Sequence, residues 1–159
     1  MGTPTQEELG TWHRFFAVEA NNRAWQLVEA ETRTPSEDEE MLAVAHAAAW
    51  HWSTIGTPHN LYLARMLLGQ VCGLLGHAAL AMQHSRAAYQ YATTHDSPAW
   101  ELAFAHAVMA TAAAAAGDGA THRWHYDEAR SRGVALEDAQ DREIFEATFR
   151  RIPAPAEHP

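Results

Sequence analysis

The chain has 159 residues and a mass of 17.6 kDa, which suits a single domain. Hydrophobic residues make up 47% of it, enough to form a core, so disorder of the whole chain is excluded. The formal net charge is -9 and lysine is absent, so we expect neither a nucleic-acid partner nor binding to an anionic membrane.

Helical periodicity and helix-ending residues recur along the chain, and no segment alternates with the two-residue period of a strand. For the second helix, Ser36 is the predicted N-cap and Glu39 closes a capping box. We predict an all-α fold of about seven antiparallel helices. They span about residues 6–32, 36–56, 59–75, 77–94 and 97–117, then a helix ending near 132, then 137–151.

These helices form one predicted domain over residues 1–152, followed by a Pro-rich C-terminal tail at 153–159. The only cysteine is Cys72, which excludes an internal disulfide and indicates a reducing compartment. The N-terminus lacks a signal-peptide pattern, and the longest apolar run is too short to span a bilayer. We therefore expect a cytoplasmic protein. Cys72 could be a nucleophile, but its apolar neighbours favour inert burial.

Small residues recur at matching positions in two units of the chain. Leu68-Gly69, Gly76, Ala81 and Ala88 are matched by Met109-Ala110, Gly117 and Ala129. This pattern resembles the tetratricopeptide repeat over residues 62–134, which implies stacked helix pairs and a concave peptide-binding surface. The N-terminal half also resembles short bacterial helical proteins without an assigned function, through Asn21-Asn22-Arg23-Ala24-Trp25, Ala45-His46 and His51-Trp52.

Motifs of the commonest enzyme classes are absent. The chain has no phosphate-binding glycine loop, no G-x-S-x-G, H-E-x-x-H or Cys-x-x-Cys motif, and no Glu-x-x-His pair. We therefore expect no nucleotide cofactor.

Glu19 falls on the apolar stripe of the first helix, which is formed by Trp12, Phe15 and Phe16. A carboxylate buried there must be hydrogen-bonded, paired or bound to a metal. One interpretation is a structural ion pair with Arg23 or with Arg65. The other is a functional site.

Three histidines are candidates to share an interior with Glu19. His46 borders the apolar face of the second helix, His84 lies among alanines on the fourth, and His106 lies among apolar residues on the fifth. Two histidines and a carboxylate suit iron, copper or zinc, so we predict a metal site of Glu19, His46 and His84. His122 and His125 could chelate a metal from one helix face, but their polar surroundings favour solvent exposure.

The sequence thus favours a small-molecule-binding protein with an interior His/Glu/Asn site, as in a metal-dependent enzyme. Glu19 would act as ligand or general base, with substrate contacts from Asn22, Trp25, Trp52 and His106. The alternative is a tetratricopeptide-like adaptor without catalytic activity, whose partner is another protein or a second copy of the chain.

Overall fold

The structure is a computed structural model and describes residues 3–156. This part of the chain is all-helical, with seven helices and no strand, as predicted. The helices are α1 (Gln6–Glu29), α2 (Pro35–Ile55), α3 (Pro58–Leu74), α4 (Ala78–Thr94), α5 (Ala99–Ala115), α6 (Gly119–Val134) and α7 (Ala139–Phe149). Residues 153–156 of the predicted tail are non-helical, and 157–159 lie outside the described residues.

The first three helices begin with the same local device, a threonine N-cap in a reciprocal capping box. The box of α2 differs from the prediction. Thr34, not Ser36, is its N-cap: Thr34 Oγ1 accepts from the Glu37 amide, and Glu37 Oε2 accepts from the Thr34 amide at 2.7 Å. The predicted box of Ser36 with Glu39 is wrong because Pro35, whose fixed φ suits the first helical position, places the helix start earlier.

The helices form two layers. The odd-numbered helices pack in a closed cycle, in which α1 contacts α3, α3 contacts α5, α5 contacts α7, and α7 returns to α1. The even-numbered helices lie outside, each packed between two consecutive odd-numbered helices. The links between helices are short, and Gly76 and Gly117 make two of the turns with φ of 76° and 70°, values that favour glycine.

Small residues allow the central helices to approach closely. A Cβ added at Gly73 of α3 would lie 2.7 Å from Thr111 Cγ2 of α5, and one added at Gly133 of α6 would clash with the ring of Phe145. Most of α5 is buried, so this helix forms the centre of the stack. Cys72 is also buried, as expected for a packing residue, and burial raises the pKa of its thiol.

The buried face of α1 is not the one the aromatic stripe predicts. Its buried residues are Ala17, Ala24, Leu27 and Val28, which pack among the alanines of α2 and the leucines of α3. Phe15 and Glu19 lie about 160° around the axis from Ala17, so they face away from the core. Trp12, Phe15 and Phe16 are accordingly 51%, 58% and 51% exposed. None of the helices in residues 3–156 combines the length and apolarity needed to cross a membrane.

Candidate functional site

A pocket of about 310 Å³ lies inside the cycle of odd-numbered helices. All four of these helices contribute to its wall, and none of the even-numbered helices does. Larger clefts of about 460 and 640 Å³ adjoin the C-terminal segment, and the first is lined mostly by alanine and glycine. Side chains of many kinds converge on the 310 Å³ pocket, which we call the inner pocket, but not on the 460 Å³ cleft. We therefore treat the inner pocket as the candidate functional site.

Aromatic rings form much of the wall of the inner pocket. Trp25 of α1 and Trp100 of α5 each meet Phe104 edge to face, with ring centroids 5.9 and 6.0 Å apart. Leu63, Met66 and Ile144 complete the apolar lining. Edge-to-face contact is a favoured geometry for aromatic rings, and here it spaces the three rings along the wall of the cavity.

Three polar side chains also line the pocket, namely Asn21, Glu29 and Thr148. Thr148 is fully buried, and its Oγ1 has no hydrogen-bond partner among the described residues. Burial raises the pKa of the Glu29 carboxyl, an effect that the nearby guanidinium groups of Arg150 and Arg151 partly oppose. The lining therefore combines apolar surface with a partly buried carboxyl group and with a buried threonine whose hydroxyl forms no hydrogen bond among residues 3–156.

A second, smaller pocket of about 210 Å³ adjoins the first and shares Trp100, Phe104 and Ile144 with it. Its remaining lining residue is Asp141, in the first turn of α7. Glu29 and Asp141 thus supply one carboxyl group to each of the two adjoining spaces, and no arginine or histidine of residues 3–156 lines either of them.

The structure does not bring the predicted metal ligands together. Glu19 and His46 are exposed, His84 is half-buried, and the helix of His84 packs directly against neither of the other two helices. Arg23, one suggested partner of Glu19, instead binds Glu40, with Nε and Nη2 donating to the two carboxylate oxygens at 2.7 and 2.8 Å. Burial lowers the pKa of His84, and the neighbouring His46 adds to this effect, so these two histidines do lie near each other.

The predicted substrate contacts are also dispersed. Trp25 lines the inner pocket, but Asn22 is exposed and its neighbour Asn21 is the amide at the pocket wall. Trp52 is half-buried at the end of α2, away from the pocket lining. His106 is buried, as predicted, but it faces α6 instead of Glu19. Among the described residues, no three His, Cys, Asp or Glu side chains form a group able to hold a metal ion.

His106 belongs to a buried pair. Its Nδ1 lies 3.1 Å from Nδ1 of His125, and Tyr89 meets both imidazoles edge to face at about 5 Å. Burial lowers the pKa of each histidine to about 4. The predicted solvent exposure of His122 and His125 is wrong, since both are buried. His125 packs against His106 of α5, and His122 Nε2 lies 2.9 Å from the Pro153 carbonyl oxygen.

Two further histidine contacts join distant parts of the chain. His13 and His51 form a second pair, with their Nδ1 atoms 2.8 Å apart beside the exposed ring of Trp50. His59 Nε2 lies 2.7 Å from Oε1 of Glu101, a carboxylate that is only 1% exposed. Sequence reasoning singled out neither contact, because each joins residues about 40 positions apart and no local spacing signals them.

Comparison with known proteins adds no family to this description. The chain matches no protein-family model, no curated protein and no solved structure. Its function must therefore be argued from the site itself.

Proposed function

We propose that this chain is a cytoplasmic small-molecule-binding protein whose ligand lies in the inner pocket. The observation that carries the proposal is Thr148, a lining residue of the aromatic cavity whose fully buried hydroxyl has no hydrogen-bond partner among residues 3–156. Leaving a buried hydroxyl unsatisfied costs about 1–3 kcal/mol, so natural structures rarely keep one without a reason. A bound ligand with a hydrogen-bonding group would remove this cost.

The size of the pocket limits the ligand. A space of about 310 Å³ is at the lower end of the range for small-molecule sites, which suits one ring with a short substituent. Trp25, Trp100 and Phe104 would contact the apolar body of the ligand, and Thr148 and Asn21 would orient its polar end. The aromatic contacts supply most of the buried area, and the polar groups supply specificity.

The test is a thermal-shift screen of single-ring compounds with a variant that fills the pocket. Leu63 lines the cavity, so Leu63→Trp should occupy it, while Leu80→Trp adds the same ring on the exposed surface of α4. We expect compounds that raise the Tm of the wild type and of Leu80→Trp but not of Leu63→Trp. If no compound raises the Tm, or if Leu63→Trp responds like the wild type, the pocket is not a binding site.

The metal-dependent form of this function remains a proposal that rests on His46 and His84. Burial lowers the pKa of His84 and keeps its imidazole neutral, the state that a metal ligand requires. The exposed Glu19 would need a rearrangement of α1 to join them. The polar groups of the inner pocket do not depend on this metal, so the two parts of the proposal can be tested separately.

The adaptor alternative is favoured by one observation, an exposed aromatic patch formed by the N-terminal part of α1 and the C-terminal part of α2, at the end of the helix pair opposite its connecting loop. Its residues are Trp12, Phe15, Phe16 and Trp50, each more than half exposed. Contiguous exposed aromatic surface is typical of protein interaction sites. Light scattering of the wild type and of Phe15→Ser/Phe16→Ser tests self-association through this patch. A monomeric wild type that captures no partner would remove the adaptor function.

A further inference from the structure

We infer that the ligand of the inner pocket is an organic cation, such as an arylalkyl amine, whose positive charge is attracted by the carboxyl groups of Glu29 in this pocket and of Asp141 in the adjoining one. This inference rests on the proposed function, because it names the chemical class of ligand for the same pocket. It has three independent supports, namely the charges of the lining, the aromatic walls and the unpaired hydroxyl of Thr148.

The charges of the lining favour a cation over an anion. Glu29 lines the inner pocket and Asp141 lines the adjoining space, while no basic side chain from the described part of the chain lines either. Arg150 and Arg151 lie near enough to Glu29 to act on its carboxyl electrostatically, but neither forms an ion pair with it within 4.0 Å among the described residues. A ligand ammonium group would therefore gain a carboxylate partner, and an anionic ligand would be repelled.

The aromatic walls favour a cation over a neutral ligand of the same shape. The faces of tryptophan and phenylalanine rings carry negative partial charge and attract an ammonium group within about 6 Å of the ring centre. Trp25, Trp100 and Phe104 enclose the space next to the two carboxyl groups. A plain hydrocarbon would fill the same space but would leave both carboxyl groups unused.

The hydroxyl of Thr148 offers a contact for the amino group of the ligand. Its Oγ1 is buried and has no hydrogen-bond partner among residues 3–156, so it can accept a hydrogen bond from the ligand N–H. The C-terminal end of α1 adds no preference of its own, because Arg33 Nη1 already donates to the Leu27 carbonyl oxygen at 3.1 Å.

Three probes of one shape distinguish the possibilities by isothermal titration calorimetry at neutral pH. They are 2-phenylethylamine, which is a cation, 2-phenylethanol, which is neutral, and 3-phenylpropanoate, which is an anion. We expect the amine to bind about tenfold more tightly than the alcohol, and the anion to bind most weakly. Equal binding of amine and alcohol would overturn the cation inference and leave the proposed function standing. Binding of none of the three would count against both.

Charge-neutralising variants identify the groups responsible. Glu29→Gln and Asp141→Asn should each weaken the binding of 2-phenylethylamine, by up to about tenfold, and should leave the binding of 2-phenylethanol unchanged. Glu143→Gln is the control, because it removes the same charge from an exposed position of α7 outside both pockets. If the amine preference survives both pocket variants, or if Glu143→Gln reduces it equally, the two carboxyl groups do not select the ligand.

Discussion

The Nδ1 atoms of His106 and His125 face each other at 3.1 Å inside the protein, where both side chains are no more than 3% exposed. One imidazole must donate its Nδ1 proton and the other must accept it, so the contact requires that at least the accepting histidine be neutral. Burial opposes the charged form of each, and the Arg132 guanidinium further disfavours it at His106. The pair therefore stabilises the fold only while it is uncharged.

This pair predicts a loss of stability in mild acid. The pKa of each histidine is about 4 in the folded protein, below its ordinary value of 6.5, so the unfolded chain binds more protons between these values. The contribution of the pair to the free energy of unfolding is complete at pH values above the histidine pKa of the unfolded chain. It is lost as the pH falls from there through the histidine pKa of the folded protein. We expect the free energy of unfolding to fall by about 2 kcal/mol per histidine between about pH 7 and pH 5, as measured by denaturant titration.

A histidine variant tests the source of this pH dependence. His125→Gln removes one titrating group, so the number of protons taken up on unfolding near pH 5 should fall by about one. His77→Gln is the control, because His77 is exposed and its side chain makes no capping hydrogen bond. Equal pH dependence of the His125 variant and the wild type would show that the pair does not titrate as described.

The two apolar faces of α1 explain why the sequence predicts the helices more accurately than their orientation. Hydrophobicity favours the aromatic stripe containing Phe15, whereas the structure buries Ala17 and Ala24. The small side chains allow α1 to approach the alanine-rich face of α2, including Ala45 and Ala48, more closely than aromatic rings could. Sequence periodicity counts apolar residues but does not show which face fits a neighbour.

The residues of the candidate site also could be predicted only in part, because sequence patterns do not show which residues come together in the fold. Trp25 was recognisable as a pocket residue, but Thr148 and Glu29 carry no local pattern that distinguishes them from ordinary helix residues. They become candidates only when α7 returns to α1 and closes the cycle of odd-numbered helices. Glu19, His46 and His84 do not converge in the structure for the same reason. Residue types indicate candidate metal ligands, but they do not show whether those side chains come together.

Close helix contact predicts opposite effects for two glycine-to-alanine changes. Gly73→Ala would place a Cβ 2.7 Å from Thr111 Cγ2 and 3.2 Å from the Thr111 carbonyl carbon, so α3 and α5 would have to separate. We expect a destabilisation of about 1–3 kcal/mol. A Cβ added at Gly10 of α1 would meet no other described residue within 4 Å, so Gly10→Ala should stabilise by up to about 1 kcal/mol. Denaturant titration of both variants is the check, and a stable Gly73→Ala would contradict the close contact.

The metal-dependent form of the function makes a separate prediction. Purified wild-type protein should contain one equivalent of iron, copper or zinc by elemental analysis, and His46→Ala and His84→Ala should each lose it. His95→Ala, which changes an exposed histidine on another part of the surface, should retain the metal. Wild-type protein that holds no metal, and whose Tm does not rise when these metals are added, would remove this form and leave the inner pocket unaffected.

Two buried threonines with opposite hydrogen-bonding states give the sharpest test of the pocket. Thr148 Oγ1 has no hydrogen-bond partner within residues 3–156, so Thr148→Val should leave the stability of the ligand-free protein unchanged or raise it by up to about 1 kcal/mol. The same variant should weaken binding of 2-phenylethylamine by about threefold to tenfold, because the ligand loses a hydrogen-bond partner. Thr111 is the control: its Oγ1 donates to Gln70 Oε1 at 2.8 Å, so Thr111→Val should destabilise by about 1–3 kcal/mol. Thermal melts and calorimetry measure both effects, and a Thr148→Val variant that loses stability like Thr111→Val would show that its hydroxyl is structural instead of ligand-binding.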